Sequence, residues 1–419
     1  MGVKNVKIKT KENASIVLFA LCWFVYAIIS MTKTAFSSSM PSIIDEGILT
    51  NSNAGIVSAV YYIFYGGAQL LLVKLVDKVS PFKLIGASLL GAIISMIGFA
   101  LADSFWLMFV LWGVTGLLQF ALWPAIIRII AQYILPSHRA KAMVSISFSY
   151  CVGMIANFFV ASLILKLSGW RMIFWVFLVV ILLTTLLWYA GVKKTSPYLN
   201  KEQEENTQNN KNDSKKSDVS FKKVLFTSGI MFLLVPSAVR TMMDLGLKSW
   251  VPTMITQTYS NVSPSFANIL TTVLLIVNLS GIYIVKKVQK RWLKNDAMCF
   301  GFCFVVSLPF TGMLLLVGKI PVFAVVALLT IVTTFMYSGH QLINVIIPSC
   351  FQKVNMSGSV ASVLNAVASF GVVISNFGYG YLADNFGWST TILSWNIMAV
   401  IGALFAFLAV KQWARFTKE

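Results

Sequence analysis

Apolar residues come in long runs along this chain, and the runs recur at regular intervals. They occupy 14–44, 52–75, 82–102, 105–134, 140–167, 171–194, 223–255, 264–288, 296–318, 320–350, 355–383 and 388–413. A helix needs about 20 apolar residues to cross a hydrocarbon layer of roughly 30 Å, and lipid offers no partner to a loose backbone N–H or C=O. Each run therefore predicts one spanning helix. A helix on the surface of a soluble core would show a polar stripe at a period of about 3.6 residues, whereas Phe174–Tyr189 is apolar all round. The pattern predicts an all-α membrane protein of about twelve transmembrane helices.

One stretch breaks the rhythm. Ser196–Lys223 reads SPYLNKEQEENTQNNKNDSKKSDVSFKK, and its Glu, Lys, Asn and Gln content cannot bury enough apolar area to fold. It predicts a hydrated linker over 196–222 between an N-terminal six-helix bundle, 1–195, and a C-terminal one, 223–419. The halves also echo each other: Gly169-Trp170-Arg171 opens the sixth run and Gly387-Trp388-Ser389 the twelfth. Such duplication predicts two pseudo-symmetric bundles with a solute site between them near the midplane, reached by rocking one half against the other.

Composition agrees with the pattern, at 58% hydrophobic and only 11% charged residues. The charge balance adds something new. A net charge of +19 suggests a nucleic-acid binder until its placement is read loop by loop. Lys4, Lys7, Lys9, Lys11, Lys74, Lys78, Lys83, Arg139, Lys141, Lys286, Lys287, Lys290, Arg291, Lys294, Lys411, Arg415 and Lys418 fall on one side of the expected membrane. The alternate loops carry Asp45, Glu46, Asp103 and Asp384, with Lys166, Arg171, Lys248 and Lys319 as cations at or near that opposite interface. This is the positive-inside arrangement, and it predicts a multi-pass protein of the inner cell membrane with both termini cytoplasmic. The basic excess thus reads as topology and an attraction for anionic lipid, and no nucleic-acid partner is expected.

Cys22, Cys151, Cys299, Cys303 and Cys350 all fall inside predicted helices and form no metal-ligand cluster with a histidine, so they read as small core residues. The first run follows a lysine-rich start, as a signal peptide does. It lacks a small-residue cleavage site and continues into a polar-faced helix, which makes it the first span.

Several short motifs recur in a familiar order. They are Ala35-Phe36 through Met40-Pro41, Tyr65-Gly66 with Asp77-Lys78 and Pro81, Gln119 with Trp123-Pro124, Arg128 and Arg139, Trp250 with Pro252-Thr253, Gly339 through Ile343, and Tyr381 through Trp388. Together they resemble the major facilitator superfamily, and within it the organophosphate:phosphate antiporter family that includes the glycerol-3-phosphate and hexose-phosphate transporters. The resemblance covers nearly the whole chain apart from the linker. It implies alternating access, a loop gate at Asp77, Lys78, Arg128 and Arg139, and a phosphate clamp made by one arginine in the first helix and one in the seventh. Counted from Phe36 and Trp250, those two positions hold Lys33 and Asp244 here. A basic position of the second helix falls on Gln69, and a histidine of the fifth falls near Tyr150. Paired guanidinium groups hold a phosphate dianion bidentately, which a lysine and an aspartate do not reproduce.

Charges deep in a spanning helix cost at least about 2.5–3.5 kcal/mol each, so they mark function by default. Lys33 and Asp244 sit at equivalent places in the two halves, and an ion pair between them across a central cavity is the sharper expectation. The plainer alternative is that Arg240 and Asp244, four residues apart, neutralise each other on one helix face. Asp244 is also the candidate proton-coupling carboxylate, with His340 as a second candidate relay. Asp384 reads as solvated near the outer surface. Candidate solute-binding residues are Lys33, Arg240, Asp244, Gln119, Gln341, Tyr62, Tyr26 and Asn344, with Tyr65, Asn157 and Asn365 as further cavity-wall candidates. Most single Asn and Gln residues in such a set serve as interhelical glue.

No nucleotide-binding glycine loop, no nucleophile with a base at workable spacing and no metal set is present, so neither an enzyme nor a cofactor is expected. The expected function is secondary active transport of a small polar or anionic organic solute, such as a sugar derivative, sugar phosphate or carboxylate. It would run by proton coupling or by exchange with inorganic phosphate, and the expected state is a monomer. The alternatives are a membrane solute sensor without net flux and an exporter of amphiphilic drugs.

Overall fold

A computed structural model describes residues 11–72, 76, 78–199, 226–351 and 356–418, and all of its regular structure is helical. The first six helices are α1 (Lys11–Asp45), α2 (Asn51–Leu71), α3 (Pro81–Leu101), α4 (Phe105–Tyr133), α5 (Pro136–Leu167) and α6 (Arg171–Leu199). The second six are α7 (Ile230–Thr258), α8 (Pro264–Arg291), α9 (Asp296–Met313), α10 (Val322–Ser349), and α11 and α12 over 357–386 and 388–418. The last two run together except at Gly387, whose φ of 76° breaks the helix. That left-handed backbone suits glycine, which has no Cβ to clash. Ten stretches of the described residues are long and apolar enough to cross a membrane, and the last of them contains both α11 and α12. The twelfth helix is α2, the same length as α3. The fold is the expected pair of six-helix bundles.

The first residues of the linker expected over 196–222 are helical. Helix α6 continues to Leu199 with Pro197 inside it, and the rest of that stretch lies outside the described residues, as does Asp77 of the expected loop gate.

The halves meet chiefly where α2 lies on α11 and α5 lies on α8, with α1 crossing α7. Close approach at the first contact depends on small residues. A Cβ on Gly55 would come 2.5 Å from the Asn376 carbonyl oxygen, and one on Gly380 would come 2.3 Å from that of Asn51. Backbones packed this closely are how spanning helices adhere when lipid gives them no hydrophobic reason to associate.

The end of the molecule opposite the termini is clasped. Arg171 at the start of α6 pairs there with Glu46 at 3.3 Å and Asp103 at 2.5 Å, joining three loops of one half. Between the halves, Asp384 at the end of α11 accepts from the backbone N–H of Asn51 at 3.1 Å and of Ser52 at 2.6 Å, the first turn of α2. A carboxylate at a helix N-terminus satisfies orphan N–H groups and faces the positive end of the helix dipole. Gln257 then donates to the Asn51 side chain at 3.1 Å, and Trp388 donates to Gln257 at 2.9 Å. Asn268 reaches the Ser38 carbonyl at 2.9 Å and Ser265 that of Ser162 at 2.7 Å. Asp384 is exposed, as expected, and is also the centre of this clasp.

Candidate functional site

Two chambers lie between the halves. The first is lined by Lys33 on α1, Ser58, Tyr61 and Tyr62 on α2, Tyr150 on α5, Ser249 on α7 and Asn376 on α11. The second is lined by Tyr150 and Cys151 on α5, Asp244 and Lys248 on α7, Asn278 on α8 and Tyr337 on α10. Tyr150, Met154 and Leu245 belong to both, so the chambers are neighbours separated by these three side chains. Each holds about 30 Å³, room for a water molecule.

The Lys33 ammonium stands over four tyrosine rings, at 4.8 Å from the centroid of Tyr61, 4.7 Å from Tyr62, 5.2 Å from Tyr65 and 5.9 Å from Tyr150. Among the described residues no carboxylate pairs with it. Tyrosine faces attract a cation by their quadrupole, worth about 0.5–2 kcal/mol each depending on solvation, but they carry no charge to cancel. The cage is itself braced: Tyr61 donates to Gln119 on α4 at 2.8 Å and stacks on Tyr65 at 5.8 Å.

Asp244 does not reach Lys33. It is held on its own helix between Arg240, 3.5 Å away, and Lys248, and all three side chains are at most 4% exposed. The expected pair across the cavity is therefore replaced by a three-residue ladder in which Arg240 and Asp244 do neutralise each other, with a second cation added. Lys248, expected near the membrane interface, is buried one turn beyond Asp244. The local backbone explains the alignment. Residues Met242–Gly246 form a π-turn, which opens the helix by one residue and brings positions four apart more nearly into line. Pro252 removes the N–H that would bond the Lys248 carbonyl, which loosens the same segment. With Lys33, the group comprises three cations and one carboxylate, an excess of two positive charges. Lys248 also stands 4.8 Å over the Tyr337 ring, and the Tyr337 hydroxyl contacts the Cys151 sulfur at 2.8 Å, a bridge from α10 to α5.

Of the remaining expected solute-binding residues, Tyr62 lines the first chamber, and Gln119 is joined to the site by a hydrogen bond from Tyr61. Tyr26 packs on Trp123 and Tyr150, at 5.4 and 5.9 Å, without lining either chamber. Arg240 and Gln341 line neither chamber. His340 and Asn344 hydrogen bond to each other at 2.7 Å across a second π-turn, Leu342–Ile346, also away from both chambers. Asn157 is structural, tying Ser38 and the Thr34 carbonyl together within the first half. In the expected loop gate, Arg128 donates to the carbonyls of Val76 and Val79, Arg139 to that of Ile134, and Lys78 is exposed. Among the described residues no three His, Cys, Asp or Glu side chains gather to hold a metal.

Sequence reasoning missed Lys248, Asn278, Asn376 and Ser58. The last three keep a buried polar atom without a partner among the described residues: Nδ2 of Asn278, Oδ1 of Asn376 and Oγ of Ser58. The signal for Lys248 was its spacing, four residues after Asp244 and eight after Arg240.

Known proteins resemble this chain in sequence and in fold. The sequence profile described as Major Facilitator Superfamily matches residues 22–374. A probable hexose phosphate transport protein of Chlamydia muridarum is 21% identical over 408 residues, covering 93% of this chain and 89% of that protein. The membrane sensor protein UhpC of Escherichia coli is 28% identical over 97 residues, which are 23% of this chain and 22% of the sensor. Among solved structures, a bacterial homolog of the human lysosomal transporter Spinster superposes with a TM-score of 0.78 at 14% identity over 99% of both chains. The D-xylose-proton symporter gives a TM-score of 0.73 at 14% identity, covering 94% of this chain and 97% of that one. At such identities the two structures share the fold with this chain.

Proposed function

The chain belongs to the major facilitator superfamily, and on that premise we propose that it moves a small organic anion, of the sugar phosphate or carboxylate class, by alternating access around Lys33. It is a multi-pass membrane transporter and not an enzyme. The observation that carries the proposal is the Lys33 ammonium in a chamber between the halves, without a carboxylate partner among the described residues. A cation kept at membrane depth without a counter-ion costs stability that a purely structural role would not repay. An anion entering the chamber supplies that counter-ion, and the excess of two positive charges across Lys33 and the Arg240–Asp244–Lys248 ladder favours it further. The Chlamydia muridarum relative, described as a probable hexose phosphate transport protein, agrees in solute class.

Binding residues in this reading are Lys33, Tyr62 and Lys248, with Asp244 as the group whose pairing changes when the solute or a proton arrives. The clasp of Asp384 on α2 closes the end opposite the termini, and rocking the halves apart there would open that face. The basic loops favour cytoplasmic termini, which makes the clasped end the outer one.

The likeness to the sensor UhpC over part of the chain supports a second reading, in which the protein binds its solute without net flux. Thermal-shift screening of purified protein with hexose phosphates, glycerol 3-phosphate, uronates, free sugars and inorganic phosphate tests the class of solute. Counterflow of the best ligand in proteoliposomes then separates the readings. Saturable exchange excludes a pure sensor, and binding without any exchange excludes the transporter.

A further inference from the structure

The second chamber contains an amide with one free pole. Asn278 is 2% exposed, and its Oδ1 takes the hydroxyls of Thr333 at 3.1 Å and Thr334 at 2.8 Å. Its Nδ2 has no partner among the described residues, although the side chain lines the chamber. A buried N–H left unmade costs about 1–3 kcal/mol, so a pole kept free beside a chamber points to a group that arrives from outside. The two threonines fix the amide's other end, so that its orientation survives without a ligand.

The chambers differ in charge. In the first, Lys33 has no carboxylate partner among the described residues, whereas in the second Lys248 is matched by Asp244. An anion therefore gains most beside Lys33. What reaches past Tyr150, Met154 and Leu245 into the second chamber is best uncharged, with an oxygen that accepts from Nδ2.

We propose that Asn278 is a specificity-determining residue that reads the uncharged end of the solute. The site then takes an organic anion bearing a hydroxyl or carbonyl oxygen away from its charge, and prefers it to a bare inorganic anion. This rests on Lys33 as the anion anchor. A site built to hydrogen bond an oxygen rejects a ligand that lacks it, because the buried donor is then left unpaired.

The test measures dissociation constants on the purified full chain with two charge-matched pairs, glucose 6-phosphate against inorganic phosphate and gluconate against acetate. For the pair that binds more tightly, Asn278→Leu is expected to weaken the hydroxylated member roughly tenfold, the loss of one buried hydrogen bond, while its small partner stays within about twofold. Leu279→Phe narrows the same chamber without touching the amide, and is expected to give the same selective loss if Asn278→Leu does not fold. Equal weakening of both members, or of neither, in the folded variant overturns the proposal. Lys33→Gln separates the underlying reading: it is expected to weaken both members, and if both persist the anchor is wrong whatever Asn278→Leu does. Failure of the unaltered protein to bind any of the four overturns both.

Discussion

The Lys33 ammonium lies 4.7 Å from the centre of the Tyr62 ring, and among the described residues no carboxylate pairs with it. An aromatic face softens the cost of desolvating a cation but does not discharge it, so the positive potential stays available to an incoming anion.

The ring, not the hydroxyl, performs this task. Tyr62→Phe is expected to bind anions within about twofold of the unaltered protein, and Tyr62→Leu to lose about 0.5–2 kcal/mol of affinity and thermal stability. Isothermal titration of both variants checks it. An equal loss in the two would assign the effect to the hydroxyl.

Asp244 holds two buried cations, so Asp244→Asn leaves Arg240 and Lys248 facing each other unneutralised. Removing one partner of a buried ion pair typically costs about 3–5 kcal/mol. The melting temperature should fall, and adding Lys248→Met should recover part of the loss. A double variant no more stable than Asp244→Asn alone would show that the ladder does not act as a unit.

The expected twelve spans and two bundles are present because lipid permits few alternatives: twenty apolar residues without a polar stripe can only be a helix. Lys33 was visible for a related reason, since a charge inside a span is rare. For Asp244 the Arg240 partner was legible in the spacing of four, whereas Lys248, read as an interface cation, was not. Pairing Asp244 with Lys33 rested on their equivalent places in the two halves, but the carboxylate is held on its own helix between Arg240 and Lys248, at the π-turn over Met242–Gly246. The clasping role of Asp384 was not visible because its partners are main-chain N–H groups of Asn51 and Ser52, more than 300 positions away, and no side-chain pattern announces them. Asn278 looks like any other asparagine in a span, and only the unmet Nδ2 beside a chamber distinguishes it.

The clasp predicts a conformational effect at a distance from the chambers. Asp384→Asn replaces charge-assisted bonds to α2 by neutral ones, a loss of about 1–2 kcal/mol across the two. In a background with the five cysteines removed, a thiol introduced by Ser249→Cys at the first chamber should react faster with a membrane-impermeant reagent added at the clasped face. An unchanged rate would mean that Asp384 does not hold that face shut.

Among the described residues Gln119 is joined to the site by a hydrogen bond from the Tyr61 hydroxyl. Gln119→Leu should therefore weaken all anions alike, by about 1 kcal/mol for a lost buried hydrogen bond, without altering their order of affinity. A change in the order, measured by competition binding, would place Gln119 against the solute itself.

The most direct measurement compares binding of the best anion from the thermal-shift screen to the unaltered protein, Lys33→Arg and Lys33→Gln, at low and high ionic strength. Loss of a buried charge-assisted contact is worth about 1.5–3 kcal/mol, so Lys33→Gln should bind roughly ten- to a hundredfold more weakly, with Lys33→Arg between the two. Unchanged affinity in a folded Lys33→Gln would contradict the assignment of Lys33 as the anchor of the transported anion.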